Sequence, residues 1–482
     1  MTGFEARNFI AGNWPRPDGP TFERRDPADA RRVVTTAPES SHDDVAAAVA
    51  AAVDAFPAWA STTADERARI LSAAAAALDQ RADELAAVIV EETGKPVGPS
   101  GIEAKRTPRN LDLYAAEAIR LTGTTFPSDD PGVTVYSEPQ PIGVVGVITP
   151  WNFPTNLASR KIGPALAAGN TVVFKPSPMS PHAGQILVEA FQTAGIPDGV
   201  INLVHGDAAG AHLTGDARVD AVTFTGSTAT GRRIHAASSP ERRLQLELGG
   251  NNPVVVLADA DLDQAAKVIA ASSFNLSGQA CTGAGRILVE ESVHDEIIER
   301  VAAIVAGYHI GDGRTPGVTH GPLVDERAQH VMMQVVADSV AAGASVVCGG
   351  APPDDPSLAH GWFFMPTLLA DVTPDMPVAA TEVFGPVVGV ERVSGLDEAI
   401  ERANATEYGL TSAVCTRSIA AAQQFARRVQ AGTVRVNRPT VGAAFNAPFG
   451  GIKASSTGTH REQLGPTVMD FYTSLRTVFL GS

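Results

Sequence analysis

The chain has 482 residues, which is too long for a single hydrophobic core, so two or three domains are expected. Its residues are 44% hydrophobic and 19% charged, which is ordinary for a folded globular enzyme. The formal net charge of −16 at pH 7 leaves no basic surface for nucleic-acid phosphates and disfavours anionic membranes, so we expect neither as a partner.

The cysteines and the apolar runs further limit the class of protein. Cys281, Cys348 and Cys415 are too few for a disulfide framework and lack metal-ligand spacing, so no metal site is predicted. The first residues show no signal peptide, and the longest apolar runs fall well short of the roughly 20 residues that span a bilayer. These features are typical of a cytoplasmic enzyme.

The chain begins with helix-forming sequence and then changes to alternating strand and helix patterns. Residues 43–56 and 63–93 carry apolar residues at helical spacing, and Gly94 ends the second helix. From Pro141 onwards, β-rich runs alternate with helical stretches. In chain order, we predict strands in IGVVGVITP, TVVFKP, INLVHG and AVTFTG, and helices over residues 155–168, 181–194 and 227–237.

A second alternating region follows Asn252. We predict strands in PVVVL, RILVEE, SVVCG and TVRVN, and helices over residues 261–277, 294–306 and 325–342. Continuous apolar strands separated by helices predict parallel sheets covered on both faces. We therefore expect an α/β fold with two α/β domains and a boundary near Gly249 and Gly250.

Three side chains are candidates for chemistry, although none is decisive alone. Cys281 in SGQACTGAGR lies between a predicted helix and a strand, where a thiol can face a cleft, but a lone cysteine is more often a small buried hydrophobe. Glu247 ends a strand-like run in LQLELGG, a place where surface or salt-bridged carboxylates are common. Asn152 follows a buried strand in TPWNFP, and its amide is able to donate to an oxyanion or to serve in a turn.

The cofactor signals are equally modest when taken singly. No G-x-G-x-x-G follows a strand, but FTGSTATGRR does follow one and opens a helix. Its Gly226, Ser227 and Gly231 suit a helix N-terminus placed against pyrophosphate, although glycines also occur in ordinary strand–helix turns. Lys175 in VVFKPS, at the end of a strand, is a suitable donor to a ribose or a phosphate.

Together these segments resemble the aldehyde dehydrogenase superfamily along nearly the whole chain. TPWNFP, FKPS, FTGST, LELGG, GQ-x-C, EVFGP and PFGG-x-K occur in the order typical of that family. The resemblance implies a Rossmann-like cofactor domain, an α/β catalytic domain and a small β-extension that pairs subunits into homodimers or homotetramers. The expected limits are 1–121 and 142–249 for the cofactor-binding domain, 250–450 for the catalytic domain, and 122–141 and 466–482 for the oligomerisation extension.

The resemblance also implies roles for individual residues. Cys281 matches the nucleophile, Glu247 the general base, and Asn152 the oxyanion donor, with the backbone N–H of Cys281 as its partner. Glu462 matches a further carboxylate sometimes credited with proton relay. The residues expected to bind NAD are Ile148, Thr149, Pro150, Trp151, Lys175, Ser177, Gly226, Ser227, Gly231, Leu248, Gly249, Glu382 and Phe384.

The implied reaction is the NAD(P)-dependent oxidation of an aldehyde to a carboxylic acid. The thiolate attacks the aldehyde carbon, hydride passes to the nicotinamide, and Glu247 activates the water that hydrolyses the thioester. A carboxylate at this place favours hydrolysis over transfer to coenzyme A. Pro178 stands three residues after Lys175, where many NAD-preferring relatives have an acidic residue, so we expect NAD with tolerance of NADP.

Arg160 indicates the class of aldehyde. It lies eight residues after Asn152, where semialdehyde dehydrogenases use an arginine to bind the distal carboxylate, and Phe153 is expected to line the same tunnel. Alternatively, Arg160 forms a salt bridge across its helix. Asn275 replaces a second arginine of succinate-semialdehyde enzymes, and the ending PFGGIKASSTGTHREQLG is similar to that of 2-oxoglutarate semialdehyde dehydrogenases. We therefore expect a short ω-carboxy semialdehyde, with 2-oxoglutarate semialdehyde ahead of succinate semialdehyde.

Three alternative functions remain at this point. The first is a broad-specificity aliphatic or aromatic aldehyde dehydrogenase. The second is a cofactor-independent acylase or hydrolase that forms a thioester, against which FTGST and EVFGP argue. The third is a non-catalytic structural relative, against which the joint presence of Cys281, Glu247 and Asn152 argues.

Overall fold

A computed structural model describes residues 3–456, 460 and 463–481 of the chain. Within these residues the fold consists of sheets covered by helices. The strands are β1 (Phe4–Glu5), β2 (Thr21–Asp26), β3 (Asp29–Pro38), β4 (Thr125–Phe126), β5 (Val133–Pro141), β6 (Val144–Ile148), β7 (Thr171–Lys175), β8 (Ile201–Leu203), β9 (Ala221–Thr225), β10 (Arg243–Glu247), β11 (Asn252–Val256), β12 (Ala284–Glu290), β13 (Ser345–Cys348), β14 (Thr367–Ala370), β15 (Val387–Val393), β16 (Thr411–Cys415), β17 (Thr433–Val436) and β18 (Thr473–Gly481).

The helices cover the faces of the larger sheets and connect their parallel strands. None of them in the described part of the chain is both long enough and apolar enough to cross a membrane. They are α1 (His42–Ala60), α2 (Ala64–Gln80), α3 (Ala82–Thr93), α4 (Val97–Arg120), α5 (Pro154–Ala167), α6 (Pro181–Thr193), α7 (Ala209–Gly215), α8 (Thr228–Ala237), α9 (Leu262–Phe274), α10 (His294–Ala306), α11 (Glu326–Ala341), α12 (Pro377–Ala380), α13 (Leu396–Asn404), α14 (Ile419–Arg428) and α15 (Met469–Tyr472).

A five-stranded parallel sheet has the strand order β10-β9-β6-β7-β8. Every residue of β6, β7 and β9 is buried, which explains why β6 and the middle of β7 are apolar without polar alternation. The chain proceeds from β6 outwards to β7 and β8, then returns to the other side of β6 to form β9 and β10. The strand order therefore reverses between β6 and β9, and ligands of open α/β sheets bind at such a reversal, beyond the carboxyl ends of the strands.

A seven-stranded sheet has the order β13-β14-β15-β12-β11-β16-β17, and only β13 runs antiparallel to its neighbour. Residues 248–251 link β10 of the first sheet to β11 of the second. The passage from one sheet to the other falls at the predicted glycines, while the limits of the domains stay a prediction.

A smaller antiparallel sheet, with the order β18-β5-β4, is formed by strands far apart in sequence. β5 pairs with β18 along their whole lengths, from Val133 opposite Gly481 to Pro141 opposite Thr473. Large apolar side chains of this sheet lie open to solvent, with Leu475 exposed by 72% and Phe479 by 71%.

Several predicted elements have different bounds in the structure. The helix expected over 63–93 is two helices, because the backbone of Arg81 leaves the helical conformation between α2 and α3. The helix expected over 261–277 ends at Phe274, because Leu276 and Ser277 take left-handed conformations with φ of 56° and 53°. The sequence analysis missed α4, whose glycines and Pro108 are atypical of a helix and whose apolar face is buried against neighbouring helices.

Candidate active site

Cys281 lies in the turn that leads into β12 and is half-buried. The side chain of Asn252, the first residue of β11, fixes this turn. Its Nδ2 donates to the carbonyl oxygen of Cys281 at 2.8 Å and to that of Gly283 at 2.7 Å. Its Oδ1 accepts from the backbone N–H of Thr411 at 3.0 Å. Asn252 thereby holds the backbone of Cys281 to the seven-stranded sheet, a contact that sequence analysis missed.

Asn152 reaches the same turn from the other sheet. It follows β6, is buried, and donates from Nδ2 to the carbonyl oxygen of Gln279 at 3.0 Å, two residues before Cys281. Its Oδ1 accepts from the backbone N–H of Phe153 at 3.1 Å, which fixes the orientation of the amide. An amide nitrogen has two N–H donors, and the bond to Gln279 uses one of them. The amide is thus positioned beside the cysteine turn.

The cysteine turn is also tied to the segment EVFGP. Gly278 has φ of +70°, and a Cβ at this position would lie 2.0 Å from the carbonyl oxygen of Gly385. Only glycine allows the two backbones to approach this closely. Gln279 adds a second anchor, since its Oε1 accepts from the backbone N–H of Val324 at 2.9 Å.

Glu247 ends β10 and is 2% exposed. Its charge raises the pKa of the Cys281 thiol, as does that of Glu382, so both carboxylates act electrostatically on the sulfur. Burial is the largest cause, and the three together raise the pKa of Cys281 to about 12, against the opposing effects of Arg160 and the Thr282 backbone. The thiol is therefore protonated at neutral pH in the cofactor-free protein, and reaction requires a base or an added positive charge.

The expected cofactor residues gather where the strand order reverses. Residues 149–151 follow β6, Lys175 ends β7, and Gly226 with Ser227 follows β9. The Ser227 hydroxyl accepts from the Thr230 backbone N–H at 3.3 Å and caps α8, whose N-terminus suits a pyrophosphate. A Cβ on Gly231 would lie 2.3 Å from a methyl group of Leu248, so this glycine lets α8 pack close to the chain beyond β10.

Lys175 is buried at the carboxyl end of β7. Burial lowers the pKa of its ammonium group to about 8, and the charges of Asp207 and Glu39 oppose that shift. A buried ammonium of this kind is available to a ribose or a phosphate oxygen. The nearby Ser177 hydroxyl accepts from the Met179 backbone N–H at 3.2 Å, so it stabilises the turn after β7.

Glu382 and Phe384 complete the cleft from the seven-stranded side. Glu382 Oε1 accepts from the Gly250 backbone N–H at 3.0 Å, and burial raises the pKa of this carboxyl group to about 7. A Cβ on Gly249 would lie 2.0 Å from Glu382 Oε2. Phe384 has a left-handed backbone with φ of 54°, and its ring meets that of Trp151 edge-on at 5.8 Å. A capped helix N-terminus, a buried lysine and close glycine contacts fit a dinucleotide.

Arg160 lies in α5 and is 6% exposed. Burial lowers the pKa of its guanidinium to about 10, an effect that the charges of Tyr114 and Cys281 oppose. Within residues 3–456, 460 and 463–481, its Nε has no hydrogen-bond partner and no carboxylate forms an ion pair with it. Because α5 contains no acidic residue, the alternative of a salt bridge along this helix is wrong.

A buried ion pair supports the start of α5. Lys95 Nζ pairs with Glu103 Oε2, and the two side chains are 4% and 1% exposed. Glu103 Oε1 accepts from the backbone N–H groups of Thr155 and Asn156, both at 3.1 Å. Lys95 Nζ also lies 4.3 Å from the centre of the Phe153 ring. The pair therefore stabilises α5, which begins two residues after Asn152, and sequence analysis missed it.

The structure thus brings Cys281, Glu247, Asn152 and Arg160 to one place, between the carboxyl ends of the five-stranded sheet and the amino ends of β11 and β12 in the seven-stranded sheet. Phe153 lies beside them and contacts Lys95. Glu462, the expected proton relay, lies outside the described residues.

Comparison with known proteins supports the same reading of the motifs. Residues 14–478 match the model of the Aldehyde dehydrogenase family. The chain is 38% identical over 480 residues to an alpha-ketoglutarate semialdehyde dehydrogenase of Haloferax volcanii, covering 98% of both chains. It is 37% identical over 466 residues to a succinate-semialdehyde dehydrogenase [NADP(+)] of Escherichia coli, covering 96% of this chain and 95% of that one. The crystal structure of betaine aldehyde dehydrogenase from Staphylococcus aureus in complex with NAD+ superposes with a TM-score of 0.95 at 32% identity, covering 98% of this chain and 94% of that one.

Proposed function

Because this chain belongs to the aldehyde dehydrogenase family, we propose that it oxidises a short ω-carboxy semialdehyde to a dicarboxylic acid. Arg160 is the residue on which the proposed substrate class rests. A buried guanidinium without a carboxylate among the described residues is costly, and the distal carboxylate of the substrate supplies the missing partner. The relatives named for alpha-ketoglutarate and succinate semialdehydes favour the same class, with 2-oxoglutarate semialdehyde first.

The reaction begins at the Cys281 sulfur. Its proton passes to water, and the charge of Arg160 favours the thiolate that remains. The sulfur attacks the aldehyde carbon, and the oxyanion accepts hydrogen bonds from Asn152 Nδ2 and the backbone N–H of Cys281. Each such donor is worth roughly 3–4 kcal/mol in the transition state.

The second half of the reaction releases the acid. A bound nicotinamide would supply the hydride acceptor, and loss of hydride from the carbon attached to sulfur leaves an acyl thioester on Cys281. Glu247 then accepts a proton from water, and the hydroxide attacks the thioester carbon and displaces the thiolate. Hydrolysis at Glu247 is the reason that the product is a free acid.

The cofactor is NAD, with NADP tolerated. Lys175 donates to the adenosine ribose, while Pro178 neither bonds a 2′-hydroxyl nor repels a 2′-phosphate. Lys175 also offers a positive charge that favours a 2′-phosphate, and the charges of Asp207 and Glu39 partly offset it. Turnover with the two cofactors at equal concentration tests the tolerance, which is refuted by undetectable NADP activity.

Subunits associate through the sheet β18-β5-β4, the oligomerisation extension of this proposal. Its exposed Leu475 and Phe479, which lie on one face of β18, form an apolar surface that a second copy would cover, as a homodimer or homotetramer. The same proposal assigns 1–121 and 142–249 to cofactor binding and 250–450 to catalysis.

A panel of aldehydes tests the substrate. We expect succinate and 2-oxoglutarate semialdehydes to exceed butanal, hexanal and benzaldehyde in kcat/KM. Arg160→Gln should lose about 100-fold on the acidic substrates, since a buried charged pair is worth roughly 2–5 kcal/mol, and little on butanal. Lys105→Gln, an exposed charge on α4, is the matched control and should change neither. A wild-type preference for hexanal or benzaldehyde would identify a broad-specificity enzyme instead.

A further inference from the structure

Three arginines extend from the surface towards Cys281. Arg109 and Arg106 lie one helical turn apart on α4, the first exposed and the second half-buried, and Arg160 is buried in α5. Each is within electrostatic range of the next, since Arg109 acts on Arg106 and Arg106 acts on Arg160. The last of them acts on the Cys281 thiol. We call this set the arginine path.

One loop connects the outer part of this path to the nucleophile. The guanidinium carbons of Arg106 and Arg109 lie 4.5 and 4.7 Å from the centre of the Phe445 ring. Arg106 Nη2 also donates to the carbonyl oxygen of Ala443 at 2.9 Å. Ala443 and Cys281 in turn pack against the same small apolar cluster, which contains Phe449. The loop 441–450 therefore lies beside both the arginines and the sulfur.

One carboxylate, that of Glu103, acts electrostatically on Arg160 but does not form an ion pair with it. Across the part of the chain that the structure describes, no carboxylate forms an ion pair with any of the three arginines, and Arg106 Nε has no hydrogen-bond partner. Such a row of like charges is unfavourable by itself, and it stands in a chain with a net charge of −16. A cleft lined by one sign of charge raises the local concentration of ligands of the opposite sign.

We propose that Arg109 and Arg106 attract anionic aldehydes and pass them to Arg160 at Cys281, which makes both of them specificity determinants of capture. This deepens the proposed function and rests on it for the identity of the substrate. Their effect falls on kcat/KM, because they act before the substrate reaches the sulfur and do not touch the reacting atoms. The effect also falls as salt rises, since the Debye length is about 10 Å at 0.1 M ionic strength.

The first test compares succinate semialdehyde with butanal at low and high salt. Arg109→Gln should lower kcat/KM for succinate semialdehyde about two- to fivefold at low salt, with kcat and the butanal values unchanged. Arg109→Lys keeps the charge and should retain the wild-type value. Lys105→Gln removes one exposed charge from the same helix and should change nothing.

The second test needs neither substrate nor cofactor. Iodoacetate and iodoacetamide alkylate the same Cys281 thiolate, and only the first is an anion, so the ratio of their rates cancels the ionisation of the thiol. Arg109→Gln should lower the iodoacetate-to-iodoacetamide ratio about two- to fivefold at low salt, and Lys105→Gln should not. Equal ratios in wild type and Arg109→Gln overturn the arginine path. A lowered ratio with no preference for ω-carboxy aldehydes overturns only the proposed substrate.

Discussion

Replacing Lys95 with methionine should destabilise the protein by about 3–5 kcal/mol, because the buried Glu103 carboxylate would lose its ion-pair partner. The side chains are 4% and 1% exposed, so water cannot solvate the remaining charge. Methionine keeps much of the length of lysine, so the cost is mainly that of the charge and not of a cavity.

A second substitution separates the charge from the packing. Glutamine at 103 removes the charge and keeps an oxygen that can accept from the backbone N–H groups of Thr155 and Asn156. Lys95→Met/Glu103→Gln should therefore recover about 2 kcal/mol relative to Lys95→Met. Thr155 and Asn156 lie in the first turn of α5, which begins two residues after Asn152. We therefore expect kcat to fall in Lys95→Met and partly return in the double variant.

The stabilities are compared by measuring denaturant midpoints of the single, double and control variants. Lys105→Met, an exposed lysine on α4, is the control and should stay within about 0.5 kcal/mol of wild type. The reasoning is refuted if Lys95→Met is as stable as the control, or if the double variant is the less stable of the two.

Three further predictions concern the site itself. Asn252→Ala should lower kcat about 10- to 100-fold without changing far-UV circular dichroism, because the Cys281 turn loses two hydrogen bonds to the sheet; unchanged kcat would contradict the positioning role. In the cofactor-free protein, alkylation of Cys281 by iodoacetamide should still accelerate above pH 10, since burial and the charges of Glu382 and Glu247 raise the pKa of the thiol to about 12. Arg160→Gln should be slower below about pH 10, where the Arg160 guanidinium is charged and favours the thiolate. A rate plateau below pH 9 would oppose this. Gly249→Ala should weaken NAD binding in calorimetry, because the new Cβ would lie 2.0 Å from Glu382 Oε2 and displace that carboxylate.

The parallel sheets could be predicted from sequence because their strands are buried on both faces. Five-residue runs such as β6 and β7 show no polar alternation, and glycines or prolines bound them. The helix α4 could not be predicted from sequence, because Gly98, Gly101 and Pro108 contradict local helical propensity. Its stability comes from packing its apolar face against α2 and α5, which no local pattern indicates.

The residues of the site likewise include some that could be predicted from sequence and some that could not. Cys281, Glu247 and Asn152 stand in short motifs, so each could be selected from its neighbours in sequence. Lys95 and Arg106 could not be selected in this way, because their significance depends on partners from distant elements. The Arg106 bond to the 441–450 loop, for example, joins residues 337 positions apart. Sequence indicates the chemical groups, while long-range packing decides what orients them.

The most direct test of the account is a single-turnover experiment on Glu247→Gln. Mixed with NAD and a substrate aldehyde, this variant should release a burst of about one NADH per active site and then stall, because the thioester forms but water is not activated. Mass spectrometry of the quenched protein should then find the acyl group on the peptide that contains Cys281. NADH formation without an acyl group on Cys281, or steady turnover equal to that of wild type, would contradict the account.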